Sequence, residues 1–234
     1  MPIPLERILR VVAWTAASVV LAMFVIFLAT GVGQEPLQSV HPSAVYAQLL
    51  LKNPPVLRAV LALDDTFIVL YGALSVCQAL VLPRRGARRA LTLASSALLG
   101  LVALLDGLEN AHFLALLGGA EQGIWPSDGT IAAQVVESLL KFHVSYLGLF
   151  LLGLALPRRR ASERWLAWLS CYVQLPVGML VHVTPPGVAV PLVLLRLAYF
   201  VTALVLLGWA FGPPRRLADA AEPPADAAGS GAPA

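Results

Sequence analysis

Six times in 234 residues the sequence runs apolar for about twenty positions, the length a helix rising 1.5 Å per residue needs to cross a hydrocarbon core. The windows fall near 8–30, 57–82, 91–118, 131–156, 164–184 and 189–212. Helix-breaking residues separate them: Pro54-Pro55, Pro83, Pro157, Pro185-Pro186-Gly187 and Pro213-Pro214. Composition agrees, with 59% hydrophobic and 12% charged residues and a mean hydropathy of +0.80. A soluble domain is nearer ~25% charged. The expected fold is therefore all-α, a polytopic bundle of six transmembrane helices spanning residues 1–214. The Ala-, Pro- and Gly-rich stretch 215–234 has little to bury and reads as a disordered cytoplasmic tail.

The basic residues orient the bundle. Arg7, Arg10, Arg84, Arg85, Arg88, Arg89, Arg158, Arg159, Arg160, Arg164, Arg215 and Arg216 flank one set of helix ends, whereas Lys52 and Arg58 flank the other. By the positive-inside rule both termini are expected in the cytoplasm, with the chain crossing a plasma membrane several times. The same distribution accounts for the net charge of +3 without a basic face, so nucleic acid is not expected as a partner. The apolar run from Ile8 to Ala29 is longer than the core of a secretory signal and is read as an uncleaved first helix. Cys77 and Cys171 lie toward the cytoplasmic ends of their spans, where a disulfide is not expected.

Residues 31–56 make the first outer connection, far longer than the usual ~4–6 residues. Ser43 is suited to cap a short helix through Leu51, with Val45 and Leu49 in lipid. Such a segment would act as an interfacial strap or as a lid.

The polar residues inside the spans carry the functional information. In "LLDGLENAHF" Asp106, Glu109 and Asn110 share one helix face with Phe113, and His112 lies at its edge. The second span places Asp64, Tyr71, Ser75 and Gln78 on one stripe with Asp65 beside it. The fourth groups Gln134, Glu137, Lys141, Ser145 and Gly148, while His143 points away. His182 comes near the outer end of the fifth span, which Pro176 is expected to kink, and Arg196 and Tyr199 belong to the sixth. Most ionisable groups fall in the outer half, and each would cost about +2.5 to +3.5 kcal/mol facing lipid. They are expected to line a shared acidic pocket that opens outward, formed by Asp64, Asp65, Tyr71, Asp106, Glu109, Asn110, Glu137, Lys141, His182 and Arg196.

Three functions fit that pattern. Glu137 can pair with Lys141 at i, i+4, and Arg196 can hold a carboxylate of another helix, but five outer acids exceed these two bases. A surplus carboxylate stays protonated or holds a cation, so the pocket would bind or translocate a small ligand, proton or cation. A lipid-modifying enzyme would instead use Asp64, Glu109 and His182 as acid and base. A structural subunit would use the network only to fix helix register. No His-x-x-x-His pair, glycine-rich phosphate loop or G-x-S-x-G turn is present, so no metal is expected and the sequence leaves any cofactor unknown. The expected partners are the lipid bilayer and either a second copy, which would supply the missing half of a small transporter, or a membrane subunit docking on the basic rim.

The six-span layout, the long first outer loop, the acid early in the second span and the segment "KFHVSYLGLFLLGLALPRR" together resemble small bacterial six-helix inner-membrane proteins of unknown function. The resemblance covers about the first two-thirds of the chain. It implies a His-then-Gly pattern, here His143 and Gly148, and no assigned activity.

Overall fold

The computed structural model describes residues 4–184 and 186–211; the tail 215–234 lies outside the described residues. All regular structure among them is helical, and six helices are long and apolar enough to cross a membrane. They are α1 (Leu5–Thr30), α3 (Pro54–Val81), α4 (Arg89–Glu121), α5 (Asp128–Ala155), the composite α6–α7 (Ala161–Val183) and α8 (Pro186–Ala210). A short helix α2 (Ser43–Leu50) and a 3-10 turn (Glu35–Gln38) lie in the first connection. The long helices close a ring in which α1 packs on α3, α3 on α4, α4 on α5, α5 on α6–α7, α6–α7 on α8, and α8 back on α1. The chain is thus a multi-pass membrane protein whose apolar exterior suits lipid.

Two apolar clusters bracket the interior. One, at the arginine-rich end, joins Leu9, Leu74, Leu82, Leu152, Leu166 and Leu207. The other, at the opposite end, joins Leu37, Tyr46, Leu50, Leu61, Phe113 and Ile131. The arginines have structural duties of their own. Arg85 and Arg160 both donate to the Ala210 carbonyl, at 2.7 and 2.9 Å, where the C-terminus of α8 leaves acceptors unpaired.

The fifth crossing is not one regular helix. α6 (Ala161–Trp168) passes through a π turn at Leu169–Val173 into α7 (Gln174–Val183). The expected kink at Pro176 therefore begins one turn earlier: proline offers no N–H to Tyr172 and crowds its carbonyl, and the wider turn relieves both. The π turn sits hard against α5, where a Cβ on Gly153 would lie 2.6 Å from the Cys171 sulfur. Cys77 and Cys171 are both free thiols. A side chain at Gly178 of α7 would collide with the Tyr146 ring. Gly178→Ala is expected to cost about 1–3 kcal/mol through overpacking, read as a lower thermal midpoint in detergent.

The first connection corrects the expectation of a lipid-lying strap. Tyr46, Ala47 and Leu50 of α2 are buried against the bundle, Leu49 packs at the edge of the same cluster, and only Val45 of the named pair is exposed. Burial pushes the Tyr46 phenol well above its ordinary value, so its hydroxyl stays protonated and donates to the Leu37 carbonyl at 3.0 Å. Ser43 is the first residue of α2 rather than its cap, because Pro42 holds the cap position. The Ser43 hydroxyl instead donates to the Pro126 carbonyl at 2.6 Å, tying the connection to the turn between α4 and α5. Ser43→Ala should cost about 1 kcal/mol, measured by the same melting experiment.

Candidate functional site

The polar cluster lies where α3, α4 and α5 meet beneath the first connection. Its centre is Lys141 of α5, a lysine 5% exposed. Its ammonium donates to Asp106 Oδ1 at 2.6 Å and to Glu109 Oε2, so one cation bridges two acids set one turn apart on α4. The other oxygens are also held. Tyr71 donates to Asp106 Oδ2 at 2.7 Å, and Ser138 donates to Glu109 Oε1.

A second group of acids adjoins the first through Asn110. Its amide nitrogen donates to Asp64 Oδ2 at 2.9 Å and to Asp65 Oδ1 at 2.8 Å. Asp64 is buried and Asp65 is exposed on the outer face of α3. The first connection covers this group directly. Gln34 Nε2 donates to Asp64 Oδ2 at 3.1 Å and to Asn110 Oδ1 at 3.0 Å, while Gln38 reaches Glu109 from 3.4 Å. The acidic groups are thus bonded to one another and covered by two glutamine amides, with the apolar face of α2 packed above α4 and α5.

Glu137 and Arg196 depart from the expected pairings. Glu137 does not neutralise Lys141; it accepts from His112 Nδ1 at 3.0 Å on the half-exposed edge between α4 and α5. The cause is angular. The inward stripe of α5 runs through Gln134, Ser138, Lys141 and Ser145, which puts its centre about 70° from Glu137 at 100° per residue. Arg196 takes its carboxylate from Glu35 of the first connection at 2.5 Å, through one nitrogen, and not from another transmembrane helix. Its guanidinium also lies 4.4 Å from the centre of the Phe142 ring, whose other close cation is Lys141 at 4.8 Å.

His182 belongs to a neighbouring aromatic group rather than to the carboxylates. Its Nε2 meets the Tyr146 hydroxyl at 3.2 Å, and its ring stacks on His143 at 5.7 Å. His143 itself bonds the Leu139 carbonyl of its own helix at 2.7 Å.

The structure therefore brings together Asp64, Asp65, Tyr71, Asp106, Glu109, Asn110 and Lys141, sets Arg196 beside them through Phe142, and leaves Glu137 and His182 apart. The sequence reading missed Gln34, Glu35, Gln38 and Ser138. The first three were visible as a polar run, "GQEPLQ", in a connection otherwise rich in apolar residues. Among the described residues, no group of three or more His, Cys, Asp or Glu side chains is arranged to hold a metal ion.

Comparison with family models, with curated proteins and with solved structures gives no match for this chain.

Proposed function

We propose that this multi-pass protein sits in the inner (plasma) membrane with its arginine-rich end in the cytoplasm, and that its carboxylate–lysine cluster takes up and releases a proton at the outer face. The observation that carries the reading is a charge imbalance. Three buried acids, Asp64, Asp106 and Glu109, share one ammonium, that of Lys141. Arg196 is committed to Glu35, and Asp65 adds a further acid at the edge. A buried surplus of negative charge is costly unless a proton or a cation offsets it.

Asp64 is the group best suited to carry the proton. Asp106 and Glu109 are each held by Lys141, whereas the hydrogen-bond partners of Asp64 are the neutral amides of Gln34 and Asn110. An amide presents a donor on one side and an acceptor on the other, so a flip serves either state of the acid. Lys141 occupies the place a bound cation would take between Asp106 and Glu109, which favours a proton over a metal ion. Gln34 and Gln38 belong to the outer connection, so movement of that segment would open the cluster to water and couple proton exchange to whatever binds there.

Proton uptake by the purified protein in unbuffered detergent, followed with a pH indicator, tests the reading. On titration from mildly alkaline to mildly acidic pH, the wild type should take up one proton per chain more than Asp64→Asn. Equal uptake by the two would refute a proton at this position.

A further inference from the structure

The polar residues do not stop at the carboxylates. On α3, Asp64, Tyr71, Ser75 and Gln78 follow a single stripe toward the arginine-rich end, and on α5 Ser138, Lys141 and Ser145 do the same. On α4 the stripe that holds Asp106 continues through Val102 to Ser95 and Ser96, all buried.

Contacts between helices fix the levels. A Cβ on Gly100 would lie 3.7 Å from Ser75 Oγ, and Ser95 donates to the Gly148 carbonyl at 2.7 Å. Cys171 meets the Phe150 carbonyl and Gly178 abuts Tyr146, so Gln174, between them in the chain, faces the same stretch of α5. At 1.5 Å per residue Ser75 lies about 6 Å beyond Tyr71, Gly148 about 10 Å beyond Lys141 and Ser95 about 16 Å beyond Asp106, with Gln174 facing the level of Gly148. Gln78 lies about one turn beyond Ser75, and Ser96 is next to Ser95.

These inner groups differ from the outer acids in one respect, which of the outer neutral groups Gln134 Oε1 shares. The outer acids are all partnered. Gln78 Oε1, Ser96 Oγ, Ser145 Oγ and both polar atoms of Gln174 are buried without a hydrogen-bond partner among the described residues. They come from four elements, α3, α4, α5 and α7, and Gln174 is fully buried. Each such group left dry would cost about 1–3 kcal/mol, and buried polar groups of this kind ordinarily bond internal water.

We infer that this seam is a hydrated proton path joining the Asp64–Asp106–Lys141 cluster to the cytoplasmic end, which makes the protein a proton conductor across the membrane. The inference rests on the cluster's being a proton site, and it extends that reading from binding to passage. Among the described residues the seam carries amides and hydroxyls and no carboxylate below Asp106, so it offers hydrogen bonds to water but no charged ligand to a metal cation. The Lys141 ammonium at its head also opposes entry of other cations. A proton needs neither ligand nor vacancy: each water in the file accepts one proton and passes another on. Tyr71, bonded to Asp106 and one turn before Ser75 on the same stripe, links cluster to seam.

The test is proton flux into vesicles of phosphatidylcholine and phosphatidylglycerol holding a trapped pH dye, driven by a valinomycin-set potential. Wild type, or Glu35→Gln if the Glu35–Arg196 pair keeps the connection shut, should conduct above protein-free vesicles. Gln174→Leu should lower that flux at least about tenfold, because an apolar constriction dewets the file, while the Asp64-dependent proton uptake in detergent persists. Gln78→Leu, on another helix, should act in the same way. The path is overturned if neither wild type nor Glu35→Gln conducts, or if flux survives both leucine variants. In either case persisting proton uptake would leave the cluster reading standing, whereas absent uptake would remove it as well.

Discussion

Replacing Lys141 by Met will destabilise the protein by about 3–5 kcal/mol, the largest effect of any single substitution in the cluster. The lysine is buried, and its removal strands Asp106 and Glu109 without a counter-charge. Tyr71 and Ser138 still donate to those acids, but neutral hydrogen bonds recover only part of the loss. The triple variant Lys141→Met, Asp106→Asn, Glu109→Gln should return most of the stability, since it removes the charges together. Denaturant unfolding in mixed micelles measures both. A single variant as stable as wild type would mean that the ammonium does not balance the buried acids.

The second large effect is an asymmetry in the Glu35–Arg196 pair. Arg196 is 4% exposed at its side chain and Glu35 is 46% exposed. Glu35→Leu leaves a buried guanidinium supported only by the neutral Tyr146 hydroxyl and the Phe142 ring face, without a counter-charge, and should cost about 3 kcal/mol. Arg196→Leu leaves an acid that can turn to solvent, and should cost about 1 kcal/mol or less by the same comparison. The two variants measured side by side in unfolding separate a buried charge from a surface ion pair. Equal losses would contradict the assigned burial. Glu35→Leu should also loosen the first connection, detectable as faster hydrogen exchange at Gln34 to Gln38.

The crossings were legible in the sequence because their signal is cumulative: twenty apolar positions and a breaker at each end leave little choice. The inward side of α4 was equally legible, since Asp106, Glu109, Asn110 and Phe113 form an unbroken stripe and all four are buried. The side of α5 was harder to fix. Its polar residues span a wide arc, and the sequence alone does not say whether Glu137 or Ser138 lies nearer the centre; packing against α4 decides for Ser138.

The partners of the charges were not legible where they come from an irregular segment. Glu35 and Gln34 lie 161 and 30 residues from their respective partners Arg196 and Asp64, in a turn with no periodicity to say which way a side chain points. The position of α2 was hidden for a related reason. "SAVYAQLL" is apolar on more than one side, so lipid and the bundle compete for it, and the outcome depends on Phe113, Leu117 and Ile131 presenting a surface that Tyr46 and Leu50 fill. The Glu137 expectation failed through a local rule: an acid four residues before a lysine does pair with it on an isolated helix, but here two acids on α4 hold the lysine and His112 holds the acid.

Infrared difference spectroscopy across a pH step tests the central claim most directly, because it sees the proton on the acid itself. The wild type should show the carbonyl stretch of a protonated carboxyl growing as pH falls. That band should be missing in Asp64→Asn and shifted in Gln34→Leu, which removes an amide hydrogen-bonded to it. If wild-type and Asp64→Asn spectra superimpose, Asp64 carries no exchangeable proton, and the cluster serves only to hold α3, α4 and α5 in register.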